Sequence, residues 1–343
     1  MNNSQDSKQI SPSESFDYDS AFQINYGILS PDEQQKIKRA KILICGMFGG
    51  GTAAIMLARS GFTRFTLIDH LTYSIDDMNR DAGCYHDTLG QYKVEVIAAQ
   101  IKRINPQAEV TTVVKQVTLE EMRSYIQDND IYMSQSDDIA FSCCSLIIAQ
   151  ELNRYGITFM PSGMTAYVEA YPPGKKKVVD PAALFGAPEK MTYRQLYYFL
   201  RNPLNRCGRR WHITEGKWRI DWFLRWKDRK NIETQLCPNA WIGAGLACTE
   251  IIKYVIEKWT MVEVPDMWHI RTADNNCRVG KFRRRSWWFE KIILKVFNIE
   301  FMGIGKNYRK FTARRFKNEI TAMLKQENDG QPIDYPFLWK YLI

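Results

Sequence analysis

The sequence lacks the features of a membrane or secreted protein. No apolar run approaches the roughly 20 residues that a membrane-spanning helix needs. Residues 1–20 are polar and rich in serine, aspartate and asparagine, so they predict a flexible N-terminal segment and no secretory signal. These absences predict a cytoplasmic protein with no membrane partner.

The chain also lacks paired cysteines. Its eight cysteines are scattered, and none forms the C-x-x-C pairs of a structural zinc site, so no zinc is expected. Cys45 and Cys143 lie in apolar segments and are predicted to be buried. Cys84 and Cys237 are alternative nucleophiles if nearby cations lower a thiol pKa, although an inert role is favoured for each.

What the chain does contain suits one large α/β domain with an appended segment. It has 343 residues, of which 45% are hydrophobic and 13% aromatic, enough for a full core. Strand patterns alternate with helical stripes. The predicted elements after the first hundred residues are a strand at 109–114, a helix at 118–127, a strand at 130–134, a helix at 139–155, and strands at 157–160 and 165–171. The alternation predicts a Rossmann-like, mostly parallel sheet flanked by helices.

The most informative segment runs from Lys41 to Pro106. An apolar strand at 42–44 leads into a predicted glycine loop at 46–52, then a helix, and then a second strand that ends on Asp69. Backbone N–H groups and the helix dipole favour an anion at such a turn. An acidic residue about twenty positions later, at the end of the next strand, suits ribose hydroxyls. The segment therefore predicts a nucleotide site.

Two common nucleotide sites do not fit this loop. A dinucleotide fingerprint needs a third-position glycine, where this chain has Phe48, and a P-loop needs a Lys-Ser or Lys-Thr pair after the glycines. The remaining possibilities are a Rossmann-like site with its own cations, Arg80 and Lys93, or a plain tight turn.

The surrounding blocks favour the first of these. Their order and spacing resemble the ThiF/MoeB/E1-like family of adenylating enzymes over about residues 20–260. The blocks are Asn25–Gly27, Ser30–Gln34, Gly49–Thr52, Leu57–Gly61, Phe65–Asp69, Asp77–Arg80, Gly90–Glu95, Ile104–Pro106, Ser136–Asp137 and, more weakly, Gly243–Lys253.

The resemblance implies a site for ATP and Mg²⁺. It implies three catalytic residues, Arg80, Lys93 and Asp137, of which the first two contact phosphates and the third holds the metal. The residues that it places at the nucleotide are Gly46, Gly49 and Gly51 in the phosphate loop, Asp69 at the ribose, and Asp77, Asn79, Arg80 and Lys93. Replacing Lys93 or Asp137 by Ala is expected to abolish turnover and leave the fold intact.

Four positions depart from the family pattern. Phe48 replaces a glycine, Asp77 replaces an Asn that contacts the nucleotide, Leu71 replaces an Asp, and Ile24 replaces an Arg that crosses a dimer. The family implies a homodimer, but the missing Arg weakens the case for a shared active site. The departures leave a non-catalytic, peptide-binding scaffold as an alternative.

The remaining chain divides by composition. The predicted units are an ATP-binding domain at 21–171, a crossover insertion for substrate recognition at 172–236, a return to the first domain at 237–280 and a basic extension at 281–343. The net charge of +9 suits an acidic partner. No nucleic-acid reader is recognisable, so no nucleic acid is expected.

Because it lacks paired zinc-binding cysteines and contains basic aromatic segments, the chain resembles family members that tailor ribosomally made precursor peptides, such as those of microcin C and pantocin A. This implies activation of a Glu side chain and its condensation with a neighbouring Glu to close a ring. The alternative substrate is the C-terminus of a ubiquitin-like or sulfur-carrier protein.

Overall fold

A computed structural model describes residues 16–174, 178–182, 187, 191–201, 217 and 234–281. Its sheet has eight strands in the order β3-β2-β1-β4-β5-β6-β7-β8. The strands are β1 (Lys41–Cys45), β2 (Arg64–Ile68), β3 (Glu109–Val113), β4 (Ile131–Ser134), β5 (Tyr155–Ser162), β6 (Thr165–Tyr171), β7 (Asp266–Arg271) and β8 (Asn276–Lys281). The predicted fold class is confirmed.

The first five strands are parallel, and β1 pairs with β2 on one side and β4 on the other. The chain therefore reverses its direction of progress across the sheet between β1 and β4, where open α/β sheets bind ligands at the carboxyl ends of their strands. Ile42, Leu43 and Ile44 are fully buried, because helices cover both faces of a parallel sheet.

Strands β6 to β8 extend the sheet in antiparallel fashion. The sequence analysis predicted β6 but did not predict β7 or β8. The odd-numbered residues of β6 are polar or aromatic, whereas Val168 and Ala170 belong to the main apolar core and Ala166 is fully buried. Both faces of β6 are buried.

The described helices are α1 (Tyr18–Phe22), α2 (Pro31–Arg39), α3 (Met47–Arg59), α4 (Lys93–Ile104), α5 (Leu119–Gln127), α6 (Ile139–Glu151), α7 (Tyr193–Arg201) and α8 (Cys237–Ile256). Helix α8 packs on α3, β5 and β6. Gly243 lies so close to Ala166 and Phe159 that a Cβ atom would approach each to 3.2 Å. This close approach joins the 237–280 segment to the same core as the N-terminal half.

Two predicted boundaries differ from the structure. The predicted helix at 139–155 ends at Glu151, because Asn153 adopts a left-handed conformation (φ 56°) and Tyr155 already pairs with Ile131 in the sheet. The predicted strand at 157–160 is longer and runs from Tyr155 to Ser162. The capping box from Thr118 to Glu121 is confirmed.

Part of the predicted crossover is described. Helix α7 buries Leu196 and Leu200 against Ala140 and Cys143 of α6. The tryptophans at 211, 218, 222 and 226 and, apart from Lys281, the predicted basic extension lie outside the described residues. Within the described part of the chain, no helix combines the length and the apolar character needed to span a membrane.

Candidate functional site

The site begins at the turn between β1 and α3. Gly46 has φ +90°, and its N–H donates to the carbonyl of Ile68 at 2.8 Å. A Cβ atom at this position would lie 2.2 Å from the carbonyl oxygen of Gln135. Glycine is therefore required both by the conformation and by the close approach of β4.

The predicted glycine loop at 46–52 is wrong in its extent, because α3 already begins at Met47. Gly49 and Gly51 lie within the helix, where Cβ atoms would meet Phe159 at 2.6 Å and Ile97 at 2.9 Å. These glycines allow α3 to pack closely on β5 and α4. Their predicted contact with phosphates remains a prediction, and only the first turn of a helix offers N–H groups without intrahelical partners.

Asp69 follows β2 and caps this helix. One carboxylate oxygen accepts the N–H of Met47 at 2.7 Å, and the other accepts the N–H of Leu71 at 2.9 Å. A negative charge at a helix N-terminus is stabilising. Each oxygen retains a lone pair for a further donor, so the predicted ribose contact stays open.

Four charged residues form a buried cluster beside this turn. Lys93, the first residue of α4, places its ammonium 2.9 Å from Asp77 and 3.3 Å from Asp81. Asp77 also lies 3.6 Å from the guanidinium of Arg80. Lys93, Asp81 and Arg80 are only 4%, 6% and 8% exposed. Two positive and two negative groups thus balance one another away from water.

Burial and pairing shift the acids in opposite directions. Burial raises the pKa of Asp81 to about 7 despite the attraction of Lys93. Burial also disfavours ionised Asp77, but the Ser74 N–H and the Lys93 ammonium outweigh it, so the pKa of Asp77 is lowered. Burial likewise opposes the charge on Lys93, yet its two carboxylate partners raise the pKa of its ammonium. Asp81 is the member of the cluster that titrates near neutral pH.

Arg80 links this cluster to α3. Its guanidinium carbon lies 4.2 Å from the centroid of the Phe48 ring, in the first turn of the helix. One terminal nitrogen donates to Asn79 Oδ1 at 2.6 Å and to the carbonyl of Asp76. Its Nε is buried and finds no hydrogen-bond partner among the described residues. A buried guanidinium with an unused donor suits an anion such as a phosphate.

Asp137 approaches the same edge of the sheet from β4. The N–H of Gln135 donates to the carbonyl of Cys45 at 2.7 Å, which places this loop beside the Gly46 turn. Asp137 is exposed, whereas its neighbour Asp138 caps α6 and accepts the hydroxyl of Tyr193 at 2.6 Å. The described residues contain no group of three or more His, Cys, Asp or Glu that could hold a metal ion. A single carboxylate still suits Mg²⁺, because phosphates and water commonly supply its remaining ligands.

The structure brings together most of the predicted site residues. Asp77, Asn79, Arg80 and Lys93 form one contact network, and Asp69 joins the glycine turn through Met47. Sequence reasoning missed Asp81, although an acid directly after Arg80 was a visible signal. It also missed Trp241, whose indole N–H donates to the carbonyl of Arg80 at 2.8 Å across 161 positions of sequence.

The burial of Lys93 changes one expectation. Without it, Asp77 and Asp81 would be left buried without their cation, so Lys93→Ala is no longer expected to leave the fold intact.

The cysteines outside this cluster have inert surroundings. All seven in the described residues are free, and Cys45 and Cys143 are buried as predicted. Burial raises the pKa of the Cys84 and Cys237 thiols, so neither is activated by the neighbouring cations. Cys84 also lies within 3.5 Å of the Ser74 carbonyl.

The upward shift of the Asp81 pKa has a consequence for stability. Its folded value of about 7 exceeds the ordinary 3.8, so the folded chain holds a proton that the unfolded chain releases between these values. The free energy of unfolding therefore falls as pH rises from 4 through 7. At pH 8 the free energy of unfolding of Asp81→Asn is expected to exceed that of the wild type by about 4 kcal/mol, and near pH 4 the two are expected to differ little.

Urea unfolding of both proteins across this pH range measures the effect. Asp87→Asn, an exposed acid of the same loop, is the matched control and is expected to show no such pH dependence. A wild type as stable as the Asn variant at pH 8 would contradict the prediction.

Comparison with known proteins identifies the family of the chain. A model of the ThiF family matches residues 21–286. The protein HesA of Leptolyngbya boryana is 31% identical over 153 residues, 42% of this chain and 52% of that protein. Molybdopterin-synthase adenylyltransferase of Escherichia coli is 33% identical over 110 residues, 32% of this chain and 44% of that protein. The chain thus spans about half the length of these two relatives.

Solved structures share the fold at lower identity. PaaA superposes with a TM-score of 0.58 at 18% identity, covering 81% of this chain and 77% of that one. The microcin C7 biosynthetic enzyme MccB, in complex with N-formylated MccA, has a TM-score of 0.58 at 18% identity over 78% and 74% of the two chains. E. coli MccB with ATP has a TM-score of 0.55 at 17% identity over 73% and 65%. With most of the sequence matched by the family model and the fold shared, the chain belongs to the ThiF family, as its motifs predicted.

Proposed function

We propose that this protein uses ATP and Mg²⁺ to adenylate a carboxylate of a peptide substrate. The observation that carries the proposal is the buried pair of cations, Arg80 and Lys93, beside the first turn of α3 at the point where the strand order reverses. Membership of the ThiF family and the ATP complex of MccB support it. The residues fit a polyphosphate, since the Arg80 Nε still lacks an acceptor among the described residues.

The proposed reaction is a displacement at phosphorus. A carboxylate oxygen of the substrate attacks the α-phosphorus of ATP, the bond to the bridging oxygen breaks, and pyrophosphate leaves with the electron pair. The products are an acyl-adenylate and pyrophosphate. Negative charge grows on the phosphoryl oxygens, so preorganised cations stabilise the transition state more than the ground state.

Each site residue has a proposed role. Arg80 and Lys93 contact the phosphates, as a rigid fork and a point charge respectively. Mg²⁺, held by Asp137, would neutralise charge on the departing pyrophosphate. Asp69 is proposed to hold the ribose. Asp77 already accepts the Ser74 N–H and Lys93, so it acts by orienting Lys93 rather than as a substitute for the family Asn.

A precursor peptide is the proposed substrate. PaaA and MccB are both fold neighbours, and MccB has been captured with MccA. The net charge of +9 suits an acidic peptide. We propose the finer steps as well, namely activation of a Glu side chain and condensation with a neighbouring Glu. Activation of a carrier-protein C-terminus is the second candidate, favoured by the similarity to molybdopterin-synthase adenylyltransferase.

A homodimer is also proposed. Ile24 and Ile28 lie on the 3₁₀ turn at 23–27 and directly after it, with 90% and 69% exposure. Exposed apolar side chains this close together suit a contact with a second copy.

The test is product analysis with Mg²⁺-ATP and a panel of acidic peptides and small carrier proteins. Peptide-dependent release of AMP and pyrophosphate is expected. Asp137→Asn is expected to reduce the rate by about 10²-fold or more, because the metal loses its carboxylate. Asp128→Asn, which removes another exposed acid at the end of α5, is the control and is expected to retain full activity.

Two outcomes would contradict the proposal. Release of ADP and phosphate would replace adenylation by phosphoryl transfer. Peptide binding without nucleotide turnover would favour the scaffold, which the departures from the family pattern at Phe48, Leu71 and Ile24 support.

A further inference from the structure

Asp81 belongs to the cluster but has no role in the reaction just described. It is almost completely buried, and its side chain lies 3.3 Å from the Lys93 ammonium, which also contacts Asp77 at 2.9 Å. Two carboxylates therefore share one ammonium in a site proposed to receive a strongly anionic ligand. A fixed negative charge there opposes that ligand unless it is neutralised.

We propose that Asp81 is a positioning residue that holds Lys93 in the nucleotide-free site and takes up a proton when the triphosphate of ATP binds beside it. This inference rests on the proposed function. Protonation removes one carboxylate charge from the cluster and leaves Lys93 with a net positive charge to present to the phosphates. Asp77 keeps the ammonium in place, since it holds Lys93 more closely and also accepts the Ser74 N–H.

The surroundings of Asp81 allow this exchange. Lys93 of α4 and Arg80 of the same loop favour its ionised form, whereas burial and Asp77 disfavour it. The phenol of Tyr73 and the thiol of Cys84 also face the cluster, but burial raises the pKa of both, so both stay neutral. Asp69 acts on Lys93 from the end of β2. The negative charge of a bound phosphate favours the protonated form of a nearby acid. Near neutral pH, Asp81 is the acid of this group that would take up the proton.

Isothermal titration calorimetry tests the proposal with Mg²⁺ and α,β-methylene-ATP, whose α–β bridge cannot be cleaved in adenylation. Titrations at pH 8 in two buffers of different ionisation enthalpy report the protons taken up. The wild type is expected to take up about one proton per bound nucleotide at pH 8 and to take up none at pH 5.5, where Asp81 is already protonated and the partly protonated terminal phosphate can only release protons. The phosphates themselves are fully ionised at pH 8, because their last pKa is about 6.

Asp81→Asn is expected to bind without proton uptake at either pH. It is also expected to bind about tenfold more tightly than the wild type at pH 8, because it no longer needs a proton. Two controls are expected to retain the uptake. Asp87→Asn removes an exposed acid of the same loop, and His70→Gln removes the exposed imidazole next to Asp69.

The outcomes separate this inference from the proposed function. Nucleotide binding by the wild type without proton uptake at pH 8 would overturn the role of Asp81 and leave the proposed function in place. Uptake that persists in Asp81→Asn, or disappears in His70→Gln, would overturn it equally. Failure of the wild type to bind any nucleotide would overturn both. If the Asn variant does not fold, the number of protons that the wild type takes up at pH 8 and at pH 5.5 still decides whether the inference holds.

Discussion

Replacing Lys93 by Met is expected to lower the free energy of unfolding by about 3–5 kcal/mol, which is the typical effect of removing one partner from a buried ion pair. Methionine fills most of the volume of the lysine side chain, so the loss of stability reports the missing positive charge rather than a cavity. Asp77 and Asp81 would remain buried without the ammonium that both contact. Urea unfolding at pH 8, where the wild-type acids are most ionised, measures the change.

A second substitution identifies the cause. Adding Asp81→Asn to Lys93→Met removes one uncompensated carboxylate and is expected to restore part of the lost stability. Lys115→Met breaks an exposed pair with Glu121 and is expected to have little effect. A Lys93→Met protein as stable as the wild type would show that the four charges do not support one another.

Replacing Gly46 by Ala is expected to cost about 3 kcal/mol or more, the second large effect. A left-handed conformation costs a residue with a Cβ atom about 1–2 kcal/mol. Steric conflict adds to this, because the Cβ atom would lie 2.2 Å from the carbonyl oxygen and 2.5 Å from the carbonyl carbon of Gln135. Both atoms belong to backbone that follows β4, so relief requires a shift of the strand end rather than of a side chain.

Gly90 is a matched control for this prediction. It has a similar positive φ of +81°, but a Cβ atom there would meet nothing within 4 Å. Gly90→Ala is therefore expected to show only the conformational cost, about 1–2 kcal/mol. Thermal or urea unfolding of the two variants compares them directly. Equal losses in both would mean that the approach of Gln135 to the turn adds nothing.

Local patterns in the sequence were sufficient for the parallel half of the fold. The apolar run at 42–44, the turn at Gly46 and the acid at the end of β2 define a strand-turn-helix-strand unit from residues that are close in sequence. The Thr118 capping box likewise places the start of α5 by contacts within one helical turn. The same local motifs were sufficient for choosing Arg80 and Lys93 as site residues and for the family.

Patterns of this kind contain no information on partners distant in sequence. Nothing in the order of residues shows that β7 extends the sheet, because its antiparallel pairing with β6 joins segments about a hundred positions apart. Strand β8 pairs only locally with β7, so it joins the sheet through β7. The glycines of α3 illustrate the same limit. Their spacing predicts a loop, whereas packing against Phe159 and Ile97 makes the segment helical from Met47 onward.

The sequence alone thus established the α/β class, the family, and a candidate set of cations and carboxylates at one edge of the sheet. The tertiary fold was needed to show that Lys93 is buried between Asp77 and Asp81. It also showed that Arg80 lies against Phe48 and that the Trp241 indole donates a hydrogen bond to the Arg80 carbonyl. The physical reason is burial. A carboxylate can pair with a cation, keep its proton or remain available to bind a ligand. Which of these occurs depends on how much water the fold removes from around it, and only the folded chain determines this burial.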